Sequence, residues 1–133
     1  MMQVILVRHA ETEWNVKVLF RDTVIAPLTL VGSVKQQPCW QRFVASDYRV
    51  ECVYASAWPG LQMGQRPAES FHCSLIAEPA LKEQAFGQFE GMTTIELLQN
   101  NPDAAEALFN LDAEYCPPEG ESLSHASQRI MHF

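Results

Sequence analysis

The first residues able to do chemistry are Arg8 and His9, which close the apolar run Gln3–Val7 and precede Ala10-Glu11-Thr12-Glu13-Trp14-Asn15. A guanidinium presents a planar fork of donors that matches phosphoryl oxygens, and a neutral imidazole nitrogen can attack phosphorus. The pairing suits phosphate chemistry. By itself the dipeptide assigns no site, because an exposed turn can carry such a pair by chance. Ser56 holds the comparable place after a second apolar run, Glu51-Cys52-Val53-Tyr54-Ala55.

These side chains need elements to hold them. Residues 3–7 and 51–55 form short apolar runs, the pattern of strands buried on both faces of a sheet. Cys73–Ala77 is a weaker third run, stopped before Pro79. Helical stretches lie between and after. Thr29 opens one that extends to Ala45, and Pro38 inside it predicts a kink or break. Thr93 and Glu96 form a capping box ahead of Leu97 and Leu98. Asn101-Pro102-Asp103 reads as an N-cap, a proline at the first helical position and an acid, starting a helix to about Leu111. Ser122 caps a last helix whose apolar stripe is Leu123, Ala126, Ile130 and Phe133. Strands alternating with helices predict an α/β fold, a mainly parallel sheet flanked by helices in three layers. Ligands of such sheets bind beyond the carboxyl ends of strands, where Arg8, His9 and Ser56 are expected.

Composition narrows the partners. The chain has 133 residues, enough for one domain spanning 1–133. It is 47% hydrophobic, so it can bury a core. Nine Lys and Arg against 16 Asp and Glu give a net charge of -7, which argues against a nucleic-acid partner. No apolar run approaches the ~20 residues that span a bilayer, so no membrane partner is expected. The start lacks the basic region of a signal peptide, and a cytoplasmic location is expected. Cys39, Cys52, Cys73 and Cys116 include no C-x-x-C pair, which predicts reduced, partly buried thiols rather than a zinc site or a disulfide framework.

Longer strings say more than the dipeptide. Arg8-His9-Ala10-Glu11-Thr12-Glu13-Trp14-Asn15, then Pro27-Leu28-Thr29 and Gly32, resembles the opening of the histidine phosphatase superfamily, the phosphoglycerate-mutase-like proteins. In the same order, Val53-Tyr54-Ala55-Ser56 is similar to the family's second strand and its serine. The stretch 81–91, containing Glu83, resembles its acid-bearing segment, and Pro117-Pro118-Glu119-Gly120-Glu121-Ser122, with Arg129 after it, resembles the approach to a late helix. Two stretches, 86–92 and 121–129, are most similar to α-ribazole phosphatases. The resemblance implies a phosphomonoesterase acting through a phosphohistidine on a small phosphorylated metabolite, with α-ribazole 5′-phosphate as one candidate. It implies His9 as nucleophile, Arg8 and Asn15 on the phosphoryl oxygens, Ser56 beside them, and Glu83 as proton donor to the leaving alcohol. No cofactor or metal is implied.

The pattern is also broken. Ala10 replaces a usual glycine, and Leu19 falls where an arginine is frequent. The family's second phosphate-binding arginine lies four residues after the serine, where this chain has Gly60. Arg66 is the one basic residue nearby and could substitute only if the backbone re-routes. Gly60, Gly64 and Pro67 disfavour a helix over 58–70 and predict a loop there. The resemblance places a second catalytic histidine in a later strand, beyond Phe133, so the domain is expected to be incomplete at its C-terminal end. His72, His125 and His132 match no catalytic position. Loss of one positioned donor costs ~2.7–4 kcal/mol in the transition state, so two missing cations predict weak turnover. The alternative reading is therefore a degenerate, weak or inactive member that binds an anion or a partner. A mutase reading would need a substrate-positioning insert that is not found. An incomplete sheet would leave an edge or apolar face open to homodimerisation.

Overall fold

Strands β1 (Cys52–Ala55) and β2 (Ser74–Ala77) run parallel, with Cys52 opposite Ser74 and Ala55 opposite Ala77. A parallel pair cannot be joined by a tight turn, and here helix α3 (Gly60–Phe71) makes the crossover. The structure is a computed structural model and describes residues 3–17, 20, 28–56 and 60–133. Leu19, Pro27 and Trp58 lie outside the described residues.

Alternation along the strands sorts their side chains. Val53, Ala55 and Leu75 face α3, whose Gly64 sits so close that a Cβ there would lie 2.7 Å from Cδ1 of Leu75. Tyr54 and Ile76 take the other face, and the Tyr54 ring meets Phe133, just beyond α6 (Leu123–Met131), at 4.9 Å between centroids. Helix, sheet and helix end thus stack in the α/β order that the sequence predicts.

Two helices form through their breakers. α2 (Leu30–Val44) is continuous with Pro38 inside it, and α3 runs through Gly64 and Pro67 where a loop is predicted. Glycine costs ~1 kcal/mol and proline ~3 kcal/mol in a helix interior. Against this, α3 buries Met63, Pro67 and Ala68, and the missing Cβ of Gly64 is what permits its approach to the sheet. The aromatic chain Trp40–Phe43–Phe71 ties α2 to α3, with Phe43 and Phe71 5.2 Å apart. In α3, tertiary packing overrides local propensity.

The predicted strand at Gln3–Val7 does not form. These residues join neither edge of the β1–β2 pair, and Val4 and Leu6 are 69% and 92% exposed. Apolar patterning describes what a segment would bury, but a strand exists only where a neighbour supplies the ladder.

The C-terminal half follows its local signals closely. Thr93 and Glu96 close a reciprocal capping box on α4 (Thr94–Asn100). α5 (Pro102–Phe109) begins at Asn101 and Pro102, although the Asn101 side chain makes no cap bond and the helix ends before Leu111. Ser122 caps α6 by accepting from the His125 amide at 3.2 Å. Phe89, Leu97, Ala104 and Ala105 form a buried cluster, with Phe20 and Phe86 packed on it. Cys52 and Cys73 are half-buried free thiols, whereas Cys39 and Cys116 are exposed ones.

Candidate functional site

Arg8 and His9 belong to a loop held from behind rather than to a strand end. The Thr29 amide donates to the Glu11 carbonyl at 3.0 Å, and the Thr29 hydroxyl donates to Oε1 of Glu11 at 2.8 Å. Thr12, fully buried, bridges antiparallel to Leu28. Gly32, in the first turn of α2, packs onto the same loop, and a Cβ there would lie 2.1 Å from the Glu11 carbonyl oxygen. The loop is thereby pinned to the start of α2. Just after it, α1 (Glu13–Lys17) begins, and Oδ1 of Asn15 accepts from the Thr12 amide and hydroxyl, both at 2.9 Å. With Oδ1 committed to Thr12, the Nδ2 donors are what Asn15 can offer an anion.

The ring of His9 is oriented by its own neighbour. Nδ1 lies 2.7 Å from the Ala10 carbonyl oxygen. A carbonyl can only accept, so in the neutral ring Nδ1 carries the proton and Nε2 carries the lone pair. Arg8 is exposed and His9 half-buried.

Ser56 and the Glu83 segment leave the same end of the sheet. The strands are parallel and Ala55 is opposite Ala77, so Ser56 and Glu78 both emerge at the carboxyl edge. There the Glu78 amide donates to the Ala55 carbonyl at 2.8 Å. Ser56 is half-buried, and a Cβ on Gly60 would lie 2.5 Å from its Oγ. The position where the resemblance expects a cation is thus beside the serine and holds no side chain. Arg66 does not replace it. It sits on a formed helix, six residues or roughly 9 Å along the axis from Gly60. Arg66 is exposed there, in a groove that Trp40, Gln41 and Glu69 also line.

Glu83 follows a short 3-10 turn, Pro79–Leu81, and its side chain is exposed. Its backbone is held from α6. Nη1 of Arg129 donates to the carbonyls of Ala80 (2.6 Å) and Lys82 (3.0 Å), and Nη2 donates to that of Glu83 (3.4 Å). The same guanidinium pairs with Glu121, at 2.5 Å from Nη2 to Oε1 and 3.3 Å from Nε to Oε2. Glu121 also accepts from the Ala85 amide at 3.1 Å, and its own amide donates to the Ala85 carbonyl at 2.9 Å. Burial opposes the charge on Glu121, but the bonds from Arg129 and Ala85, with the charges of Arg129 and Lys82, outweigh it and hold the carboxyl below its ordinary value. The sequence marks Arg129 only as part of a resemblance. Its bonds span 46–49 positions, which no local spacing reveals.

Comparison with known proteins settles the lineage. The family profile of the histidine phosphatase superfamily (branch 1) matches residues 4–133. The chain belongs to that superfamily. Among solved structures of histidine phosphatase type, it is similar to Bacillus stearothermophilus YhfR, with a TM-score of 0.82 and 25% identity over 94% of this chain and 61% of that one. It is also similar to the α-ribazole phosphatase of Shigella flexneri, with a TM-score of 0.79 and 27% identity over 96% and 62% of the two chains. The 2,3-bisphosphoglycerate-dependent phosphoglycerate mutase of Bartonella henselae is 27% identical over 133 residues, 95% of this chain and 63% of that protein. This histidine phosphatase superfamily chain therefore spans about three fifths of the length of these relatives. Among its described residues, no helix is long and apolar enough to cross a membrane, and no cluster of three His, Cys, Asp or Glu could hold a metal ion.

Proposed function

We propose that the chain carries the attacking half of a phosphohistidine phosphomonoesterase site for a small phosphate ester. The observation that carries this reading is the His9 ring, whose Nδ1 bond to the Ala10 carbonyl leaves the lone pair on Nε2. Nε2 attacks phosphorus, and the N–P bond forms as the ester O–P bond breaks. Glu83 gives its proton to the departing oxygen. Water then attacks the phosphohistidine, Glu83 takes the proton from that water, and the N–P bond breaks to release inorganic phosphate and restore the ring. Arg8 and the Nδ2 donors of Asn15 hold the phosphoryl oxygens, with Ser56 beside them. The net charge of -7 fits a small, soluble phosphorylated metabolite better than a polyanion. Likeness to an α-ribazole phosphatase supports α-ribazole 5′-phosphate as a candidate substrate.

Gly60 favours a second reading, a member that binds an anion with little turnover, because a glycine stands beside Ser56 at the position where the resemblance expects a cation. One experiment separates the two. The chain is incubated with p-nitrophenyl phosphate and with α-ribazole 5′-phosphate, and both phosphate release and acid-labile phosphoenzyme are measured. Phosphate release through a phosphoenzyme that disappears in His9→Ala supports the phosphatase. Turnover that survives His9→Ala, or anion binding without any phosphoenzyme, overturns it.

A further inference from the structure

Three bonds of the Arg129 guanidinium end on the backbone that carries Glu83. The guanidinium takes the carbonyls of Ala80, Lys82 and Glu83 on one side and the carboxylate of Glu121 on the other. Glu121 completes the enclosure by binding the Ala85 backbone in both directions, and its carbonyl accepts from Nε2 of Gln84 at 2.9 Å. Every residue from Lys82 to Ala85 is thus fixed from 121 or 129. We propose that Arg129 and Glu121 are positioning residues that set the loop from which Glu83 reaches the leaving group.

The chemistry explains why an arginine holds this place. Three carbonyls and a carboxylate converge on one group, which must offer several donors in a fixed plane and no acceptor. A lysine carries the charge but not the fork. The exposed carboxylate of Glu83 has no packing of its own to fix it, so the precision of its placement is that of its backbone. A misplacement of about 1 Å can cost on the order of 10²-fold in rate. The proposal rests on Glu83 being the proton donor, and its test keeps that reading separate.

Wild type, Arg129→Gln, Arg129→Lys, Glu121→Gln and Glu83→Gln are compared on two esters. p-Nitrophenolate leaves without a proton, whereas an alkyl phosphate such as α-ribazole 5′-phosphate needs one. The expected result is a slowing of phosphoenzyme formation on the order of 10²-fold for the alkyl ester in Arg129→Gln, with phosphoenzyme formation from p-nitrophenyl phosphate little changed, because the hydrolysis of the phosphohistidine is common to both esters. Glu83→Gln should slow the same step on the alkyl ester at least as much, and Arg129→Lys should restore only part of the rate. Equal losses on both esters would reduce Arg129 to a general structural role and overturn the proposal.

Hydrogen exchange at the Ala85 amide supplies the second arm. It should speed up about tenfold or more in Arg129→Gln and in Glu121→Gln while the core helices stay protected. Unchanged exchange at Ala85 in both variants overturns the clamp whatever the kinetics show. If wild type turns over neither ester, the phosphatase reading fails, and the clamp is judged on this arm alone. The Glu121 variant keeps the test open should Arg129→Gln fail to fold.

Discussion

Gly60 and Ser56 share one small space: a Cβ on Gly60 would stand 2.5 Å from the serine Oγ. The first residue of α3 therefore abuts the residue that ends β1. Among the described residues, the serine hydroxyl is the one group that blocks a side chain there closely, and a hydroxyl can rotate aside. Gly60→Arg is expected to bring a second guanidinium to the phosphoryl site, tightening phosphate binding and raising turnover by on the order of 10²-fold. Gly60→Gln, of similar length without charge, should give no such gain. Phosphate affinity measured at two salt concentrations checks this, since an exposed cation loses its effect at high salt. No gain from the arginine at either salt would place the weakness elsewhere.

Gly32→Ala tests how the His9 loop is held. The new methyl would meet the Glu11 carbonyl oxygen at 2.1 Å, which is backbone and cannot rotate away. Either α2 or the loop must shift, at a cost of about 1–3 kcal/mol. Urea denaturation should register that loss, and phosphoenzyme formation on His9 should fall with it. An unchanged urea midpoint would show that the loop is not pinned to α2.

Gly64→Val tests why α3 forms at all. Its side chain would enter the space between Gly64 and Leu75, where even a Cβ comes within 2.7 Å of Cδ1. Valine raises helix propensity slightly over glycine, so a local argument expects stabilisation. Packing argues for destabilisation by about 1–3 kcal/mol. Thermal unfolding decides between them, and a raised melting temperature would return the primacy to local propensity.

Acid should loosen the Arg129–Glu121 pair. The Glu121 carboxyl titrates below the ordinary glutamate value in the folded chain, with burial opposing its charge and the Arg129 and Ala85 bonds outweighing that. A depressed folded value means the contribution is fully present above the unfolded value of about 4.3 and is lost as pH falls through the lower, folded one. At pH 6, Glu121→Gln should be less stable than wild type by on the order of 1–2 kcal/mol. Urea midpoints at pH 6 and pH 3 should show this gap shrinking. A gap of equal size at both would mean that the charge on Glu121 contributes nothing.

Local sequence was a sound guide at two helix caps, where the deciding interaction is local, though not at Asn101, whose side chain makes no cap bond. The Thr93–Glu96 capping box and the Ser122 cap each span three residues, and both form as their spacing predicts. β1 and β2 also lie where the apolar runs are, and their parallel order follows from the helix between them. The motif strings carried the family and named Arg8, His9, Asn15, Ser56 and Glu83 as candidates.

Tertiary structure decided the rest, because the deciding partners are far away in sequence. Gln3–Val7 is patterned as a strand, but a ladder belongs to two segments and neither strand of the pair accepts it. Gly64 reads as a helix breaker until Leu75 shows that a bare Cα is what the helix–sheet contact requires. Arg129 reads as one more helical cation, and its bonds to Ala80, Lys82 and Glu83 exist only once α6 has folded back 46–49 positions onto the Glu83 loop. Spacing along a chain encodes bonds within a turn or two, whereas these contacts depend on which surfaces the whole chain brings face to face.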